Sequence, residues 1–214
     1  MKVINPSFEI LTTITGNELK LIEAAGRTCY KSENNITDES SKKFVAGLIK
    51  RGHEAMLEHS FLSIRFICDR GVSHELVRHR LASFAQESTR YCNYNKDKFG
   101  NELTFIKPLF FEPNTDDYRA WENAMEQAEY RYMQLIQNGR TPQEARSVLP
   151  NSVKTEVVMS TNYREWRHFF KLRAARATGP AHPQMEELTR PLLEELKKLI
   201  PVVFDDIVIK DYQM

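Results

Sequence analysis

The sequence predicts an α+β fold with a central, mostly antiparallel sheet flanked by helices. Segments that alternate like strands, such as SFLSIRFIC at residues 60–68, are intermixed with amphipathic helical segments. These segments show no regular β–α–β alternation, which would instead indicate a parallel sheet. The chain of 214 residues is 41% hydrophobic and 28% charged, a composition that suits a single domain spanning residues 1–214.

The first half of the chain predicts strands at 2–11 and 60–68 and helices at 16–30 and 38–51. The second helix ends at Gly52, a residue that commonly terminates helices. Ser73 is a good N-cap for a short helix at 74–80, with Glu75 in its first turn. A further strand is expected at 82–90, directly after this helix.

The second half predicts strands at 103–107 and 152–160. A long helix is expected at 116–138, where apolar residues recur at three- and four-residue steps and Gly139 follows. Thr141, Pro142 and Glu144 form a capping box for a short helix that carries Arg146. Helices should also span 162–176 and begin near Pro183, the latter kinked or broken by Pro191.

Charge and cysteine content narrow the function classes. The formal net charge is +1, from 30 basic and 29 acidic residues, which argues against a broad nucleic-acid surface. Three cysteines without a CxxC motif predict neither a disulfide scaffold nor a zinc knuckle. The N-terminus lacks an apolar signal core, and no apolar run approaches the ~20 residues of a bilayer span. We therefore expect a cytoplasmic protein without a membrane partner.

The most informative stretch is RHRLASFAQESTR at residues 78–90. If residues 82–90 are extended, Gln86, Ser88 and Arg90 point to one face and Glu87, Thr89 and Tyr91 to the other. An amide, a hydroxyl and a guanidinium on one face form a good receptor for anions and sugars.

The predicted helix at 162–176 places Asn162, Trp166, Phe169 and Arg173 on one stripe. Aromatic residues direct this stripe towards the core, where an arginine is costly unless it is paired. Either a structural salt bridge or a bound anion would satisfy Arg173, and the sequence leaves both readings open.

Histidine spacing does not predict a metal site. His53 and His59 are six residues apart and His74 and His79 are five apart, whereas HExxH requires four on one helical face. Ser88 lacks a GxSxG elbow, and Cys92 is more often a small core residue than a nucleophile. Because neither a P-loop nor GxGxxG is present, arginines and local backbone donors would have to hold any nucleotide.

Four ordered segments resemble the flavin-dependent thymidylate synthases. Arg78-His79-Arg80, seven residues and Ser88 resemble the family's RHR-x7-S signature, and GHEAMLEHSFLSIRF is similar to its upstream segment. EARSVLP, which contains Arg146, and the helix with Asn162, Arg164, His168 and Leu172-Arg173 resemble two further segments. The matches extend over about residues 20–200, nearly the whole chain.

The resemblance implies a homotetramer with shared active sites that converts dUMP to dTMP. It implies tightly bound FAD, with 5,10-methylenetetrahydrofolate as one-carbon donor and NADPH as reductant. The implied FAD-binding residues are His53, Arg78, His79, Arg80, Gln86, Asn162, Tyr163, Arg164 and His168. The implied dUMP-binding residues are Glu75, Arg78, Gln86, Glu87, Ser88, Thr89, Arg90, Arg146 and Arg173. Arg173 is the implied catalytic residue, which activates the uracil.

Two alternatives make different predictions. A nucleic-acid-binding module using RHR and nearby aromatics would bind polynucleotides with a steep salt dependence. A cysteine-dependent methyltransferase would require Cys92. The near-neutral charge argues against the first, and substitution of Cys92 separates the second.

Overall fold

The computed structural model describes residues 1–210. Its strands are β1 (Lys2–Ile4), β2 (Ser7–Ile10), β3 (Phe61–Asp69), β4 (Ser83–Gln86), β5 (Thr104–Ile106) and β6 (Lys154–Asn162). Its helices are α1 (Glu18–Thr28), α2 (Ser40–Lys50), α3 (Arg70–Leu76), α4 (Asp116–Gln137), α5 (Pro142–Ala145), α6 (Tyr163–Arg173) and α7 (Pro183–Leu199). The α+β fold class is confirmed.

A four-stranded sheet in the order β2-β3-β6-β4 forms the framework. Buried and less buried residues alternate along β3 and β6, as expected for strands with one face against a core. Ser63 contacts Ser160, while Arg70 N donates to Asn151 O, so β3 and β6 run antiparallel. A separate two-stranded sheet pairs β1 with β5 in parallel, with Val3 opposite Phe105.

The chain divides into two compact units. The first unit comprises Met1–Ser7, Phe66–Arg78 and Phe84–Val158, and the second comprises Phe8–Arg65, His79–Ser83 and the chain from Met159 onward. The core of the first unit is the cluster of Tyr94, Leu103, Phe105, Trp121, Met125, Tyr132, Ala145 and Val153. The core of the second includes the fully buried aromatic residues Trp166, Phe169, Phe170 and Phe204. The assignment of residues 1–214 to a single domain stays a prediction, and its last four residues lie outside the described chain.

Local signals predicted several elements well. The α4 helix spans Asp116–Gln137, and Gly139 follows it with a φ of +84°, a conformation that glycine adopts without strain. The capping box of α5 is present, with Thr141 N donating to Glu144 Oε2 at 2.9 Å. No helix within residues 1–210 is long and apolar enough to cross a bilayer.

The N-terminal strand and the helix after β3 correct two predictions. The strand predicted at 2–11 is two strands, β1 and β2, separated at Asn5–Pro6, where proline cannot donate a ladder hydrogen bond. The α3 helix begins at Arg70 and not at 74, because Asp69 caps it by accepting from Val72 N at 2.8 Å. Ser73 lies inside this helix, where its hydroxyl donates to Arg70 O.

Two further boundaries differ from prediction. The strand predicted at 82–90 ends at Gln86, because Tyr91 N and Cys92 N donate to Ser88 O at 3.1 and 2.9 Å and close a turn. The two rows expected from continued alternation therefore do not form beyond Gln86. The last helix runs from Pro183 to Leu199 through Pro191, so proline does not break it.

Candidate functional site

The RHR motif connects α3 to β4. Leu76 is the last residue of α3 and Ser83 the first of β4, so the motif lies in a connecting segment and not in a helix. Arg78 and Arg80 are exposed, whereas His79 is only 5% exposed. Arg78 belongs to the first unit, and His79 and Arg80 belong to the second. The motif therefore presents two guanidinium groups to solvent and buries one imidazole.

Gln86 is anchored within the first unit. Its side-chain amide donates to Ser73 Oγ at 3.0 Å and to Thr155 Oγ1 at 3.2 Å, which places α3 and β6 beside the end of β4. Glu75 is half-buried on α3. These contacts fix the position of the Gln86 side chain at the end of β4.

Glu87 accepts from two groups in the first unit. Lys154 Nζ lies 3.0 Å from Glu87 Oε2 and 2.7 Å from Glu156 Oε1, and Tyr94 OH donates to Glu87 Oε1 at 2.9 Å. Burial alone would lower the pKa of Lys154, but the two carboxylates outweigh burial and raise that pKa. Lys154 is thus held protonated between two carboxylates.

The Ser88–Arg90 turn carries two arginine contacts. Arg90 N donates to Ser88 Oγ at 3.3 Å, and Arg90 Nε donates to Gln143 Oε1 at 2.9 Å. Arg146, from the segment after α5, donates to the buried Thr89 Oγ1 at 3.4 Å. The first unit therefore brings Arg90 and Arg146 to one turn with two hydroxyls, an arrangement suited to a phosphate.

In the second unit, α6 carries most of the other candidate residues. Asn162 caps α6 by accepting from Glu165 N at 2.9 Å. The Tyr163 side chain lies in the core against Phe204, with ring centroids 6.1 Å apart, and its hydroxyl has no hydrogen-bond partner within residues 1–210. Arg164 forms an exposed ion pair with Glu58 at 2.5 Å.

His79 connects to α6 through both ring nitrogens. Its Nδ1 lies 3.3 Å from Glu165 Oε1, and its Nε2 accepts from Arg173 Nε at 3.1 Å. The ring packs edge-on against Phe169, with centroids 4.9 Å apart, and the His168 ring lies 6.0 Å away. Burial lowers the pKa of His79 to about 4, and the charges of Arg173 and His168 act in the same direction. The imidazole is therefore neutral at pH 7.

Comparison with known proteins identifies the family. Residues 10–202 match the family model described as thymidylate synthase complementing protein. A flavin-dependent thymidylate synthase from Corynebacterium aurimucosum is 34% identical over 205 residues, which cover 87% of this chain and 78% of that protein. One from Pyrococcus furiosus is 32% identical over 197 residues, covering 92% and 78%. The chain belongs to the flavin-dependent thymidylate synthase family.

A solved structure shares the fold of this flavin-dependent thymidylate synthase family member. The crystal structure of the UMP/dUMP methylase PolB from Streptomyces cacaoi, bound with 5-Br dUMP, superposes with a TM-score of 0.78. The alignment covers 96% of both chains at 22% sequence identity, so the likeness concerns the fold alone.

Two cavities of the second unit are candidate surfaces for a flavin nucleotide. A cavity of about 560 Å³ is lined by Glu54, Glu58, Leu81, Asn162, Arg164, Glu165, His168 and Lys171. A mainly apolar cavity of about 420 Å³ is lined by Gly26, Cys29, Tyr30, Ser32, Phe44, Leu48, Arg51, His53, Ala55 and Met56. FAD contains an anionic pyrophosphate, which cationic side chains bind, and flat rings, which aromatic side chains bind. An anion approaching Arg164 would have to displace Glu58, and an exposed ion pair costs little to break.

The sequence of this flavin-dependent thymidylate synthase family member did not predict several residues that contact the candidate site. Glu165, Lys154 and Gln143 contact predicted site residues, yet each contact joins distant parts of the chain. Arg167 is 1% exposed and pairs with Glu54 and Asp206, so the most deeply buried arginine of α6 is not Arg173. The sequence shows Glu165 only as an acidic residue in the first turn of a capped helix. Such a residue indicates helix stability and not function.

His79, Glu165 and His168 also have the composition of a metal site. Their ligand atoms all lie within 4.8 Å of one another. However, both ring nitrogens of His79 already take part in hydrogen bonds, and one partner is the Arg173 guanidinium. A positive charge at this position disfavours a second cation, so the geometry favours a hydrogen-bonded arrangement over a metal.

Proposed function

We propose that this protein is an FAD-dependent thymidylate synthase that reductively methylates dUMP to dTMP. The one-carbon donor is 5,10-methylenetetrahydrofolate, and NADPH is the reductant. The observation that carries the proposal is the family match over residues 10–202, which includes every predicted site residue. No feature of the described residues favours a nucleic-acid-binding module instead.

The Ser88–Arg90 turn supports binding of the dUMP phosphate. Arg90 and Arg146 present planar forks that can each hold two phosphate oxygens, while Ser88 and Thr89 add hydroxyls. Each guanidinium group donates one hydrogen bond, from Arg90 to Gln143 and from Arg146 to Thr89. The Arg90 guanidinium also lies over the Tyr91 ring, and other donors of each fork are left for a ligand. The other first-unit members of the proposed dUMP-binding set are Glu75, Arg78, Gln86 and Glu87, and the set also includes Arg173.

Arg173 is the proposed catalytic residue. A guanidinium beside N3 and a ring carbonyl favours the ionised, enolate-like form of uracil, because it stabilises the developing negative charge. This form carries electron density at C5, the atom that must attack the one-carbon unit. A cysteine adduct is therefore not needed to activate the ring.

The proposed FAD site uses His53, Arg78, His79, Arg80, Gln86, Asn162, Tyr163, Arg164 and His168. Asn162, Arg164 and His168 line one cavity of the second unit and His53 lines the other, which supports their inclusion. The buried Tyr163 side chain could reach a ligand only if the core rearranged. Bound FAD, once reduced by NADPH, would supply the hydride that completes the methyl group.

Cys92 does not carry the chemistry in this proposal. Burial raises the pKa of its thiol, and Glu87 acts in the same direction, so the nucleophilic thiolate is disfavoured. A Cys92→Ala variant should therefore keep its activity. Loss of dTMP formation in a folded Cys92→Ala variant would favour the cysteine-dependent alternative.

A cytoplasmic homotetramer with shared active sites is also proposed. Exposed apolar side chains near the motif support association, since Leu81 is 76% and Tyr91 77% exposed. Light scattering coupled to size-exclusion chromatography should give four times the 25.0 kDa chain mass. A monomeric mass at assay concentration would contradict this assembly.

The activity is tested by an omission assay. Purified protein is incubated with dUMP, methylenetetrahydrofolate and NADPH, and dTMP is separated by chromatography. Omission of any one reactant should abolish dTMP formation. Failure of FAD-loaded protein to form dTMP from the complete mixture would overturn the proposed activity.

A further inference from the structure

Glu165, His79 and Arg173 form a hydrogen-bonded chain within the second unit. Glu165 Oε1 lies 3.3 Å from His79 Nδ1, and Arg173 Nε lies 3.1 Å from His79 Nε2. His79 and Glu165 are nearly inaccessible, at 5% and 7% exposure. The family resemblance assigns roles to His79 and Arg173 but none to Glu165.

The chain of contacts fixes the tautomer of His79. A guanidinium can only donate, so His79 Nε2 must carry a lone pair and accept from Arg173. The neutral ring then carries its proton on Nδ1, which faces the Glu165 carboxylate as a donor. With the opposite tautomer, Nε2–H would point at Arg173 Nε–H and break this contact.

Helix α6 fixes the positions of Glu165 and Arg173. Both are on this helix, and Asn162 accepts from Glu165 N at its beginning, so the backbone of Glu165 is fixed by the cap. Phe169, also on α6, packs edge-on against the His79 ring. The imidazole is consequently held between the first and last turns of one rigid element.

We infer that Glu165 is a positioning residue that acts through His79 to orient the Arg173 guanidinium. This inference rests on the proposed function, in which Arg173 activates the uracil of dUMP. Glu165 selects the His79 tautomer that accepts from Arg173, and His79 limits rotation of the guanidinium around its side chain. Orientation of a group that stabilises developing charge affects the reaction rate more than ground-state binding.

Loss of the Glu165 carboxylate should lower the rate of turnover much more than the affinity for dUMP. Glu165→Ala should lower the single-turnover rate of dTMP formation roughly 10- to 100-fold, the range expected for loss of a hydrogen bond involving a charged group. The dUMP dissociation constant, read from the flavin absorbance change, should shift much less because the proposed phosphate ligands are unchanged. Glu165→Gln keeps an acceptor oxygen and should restore most of the rate.

A double variant distinguishes positioning from a structural role. If Glu165 acts through Arg173, adding Glu165→Ala to Arg173→Ala should cause little further loss of rate. Independent losses would multiply. Glu23→Gln is the matched control. Glu23 is a buried carboxylate of the same unit that pairs with Arg27 and contacts neither His79 nor Arg173.

Nitrogen NMR of the imidazole tests the tautomer without a Glu165 substitution. In ¹⁵N-histidine-labelled wild-type protein, with His79→Gln used for assignment, the resonance of His79 should be that of a neutral ring protonated on Nδ1. A ring protonated on Nε2 would overturn the inference, as would an active Glu165→Ala variant with a wild-type rate. A wild-type protein that forms no dTMP would instead overturn the proposed function and the inference together.

Discussion

Lys154 donates a hydrogen bond of 3.0 Å to Glu87, the residue that precedes the Ser88–Arg90 turn in the first unit. Glu87 is one of the residues proposed to bind dUMP, yet its carboxylate would repel a phosphate if it were unpaired. Lys154 offsets part of that charge, because its single positive charge is shared with Glu156 at 2.7 Å. This pairing reduces the repulsion that Glu87 would exert on a phosphate at the proposed site of Arg90 and Arg146.

Replacing Lys154 with methionine should therefore weaken dUMP binding about tenfold, since an unpaired carboxylate would remain near the nucleotide. Isothermal titration with dUMP measures this effect. Lys154→Arg is the matched control because it retains the positive charge. Equal affinity in the methionine variant and the wild type would show that Glu87 does not influence the bound phosphate.

Ser88→Ala should leave turnover within a few-fold of wild type while raising the KM for dUMP. The Ser88 hydroxyl accepts from Arg90 N at 3.3 Å, so its loss loosens the turn. Its loss also removes one hydroxyl that could donate a hydrogen bond to the phosphate. A single neutral hydrogen bond corresponds to about 1 kcal/mol, or roughly fivefold in KM. Steady-state kinetics with varied dUMP provide the measurement. Complete loss of turnover with unchanged dUMP affinity would contradict a binding role.

Arg173→Ala should reduce turnover at least ~100-fold, comparable with removal of a donor that stabilises developing charge. The expected mechanism is loss of uracil activation and not loss of the flavin. FAD content, measured after denaturation, should therefore stay near that of wild type. Normal turnover in this variant would refute the catalytic role of Arg173.

His79 should make folding stability depend on pH. Its pKa is about 4 in the folded protein, against 6.5 for an unperturbed histidine, so the unfolded chain binds more protons between these values. The stabilisation is fully present above about pH 6.5 and is lost as pH falls towards 4, by an amount on the order of 3 kcal/mol. Urea unfolding of wild type and His79→Gln at pH 7 and pH 5 isolates this contribution.

If His79 titrated as an ordinary histidine, the free energies of unfolding of wild type and His79→Gln would differ by the same amount at pH 7 and at pH 5. That result would contradict the prediction. A difference that narrows at pH 5 supports a neutral, buried His79. His53 is an exposed histidine of the same unit, so His53→Gln serves as the control.

The parts of the fold that sequence predicted are those set by neighbouring residues. Helix α4, the capping box of α5 and the glycine stop at Gly139 all depend on contacts within a few positions. The sequence predicts the start of helix α3 at the wrong residue because Asp69 and Ser73 are both good caps, and Asp69 is the one that caps the helix. It predicts too long a motif strand because the alternation of residue types continues past Gln86, although Ser88 closes a turn.

The residues assigned to the candidate site from the sequence stay a prediction, and their contacts could not be read from the sequence. The ordered motifs led to the family, which the family match confirms. The contact of His79 with Glu165 joins residues 86 positions apart, and that of Glu87 with Lys154 joins residues 67 apart. Such pairs depend on the assembled strands and helices, so spacing along the chain could not reveal them.

The most direct test of the account is the visible absorption spectrum of the purified protein with and without dUMP. We expect a yellow protein with flavin absorption bands, release of FAD on denaturation, and a change in those bands when dUMP is added. A colourless protein that cannot be loaded with FAD, or a flavin spectrum that dUMP leaves unchanged at any concentration, would contradict it.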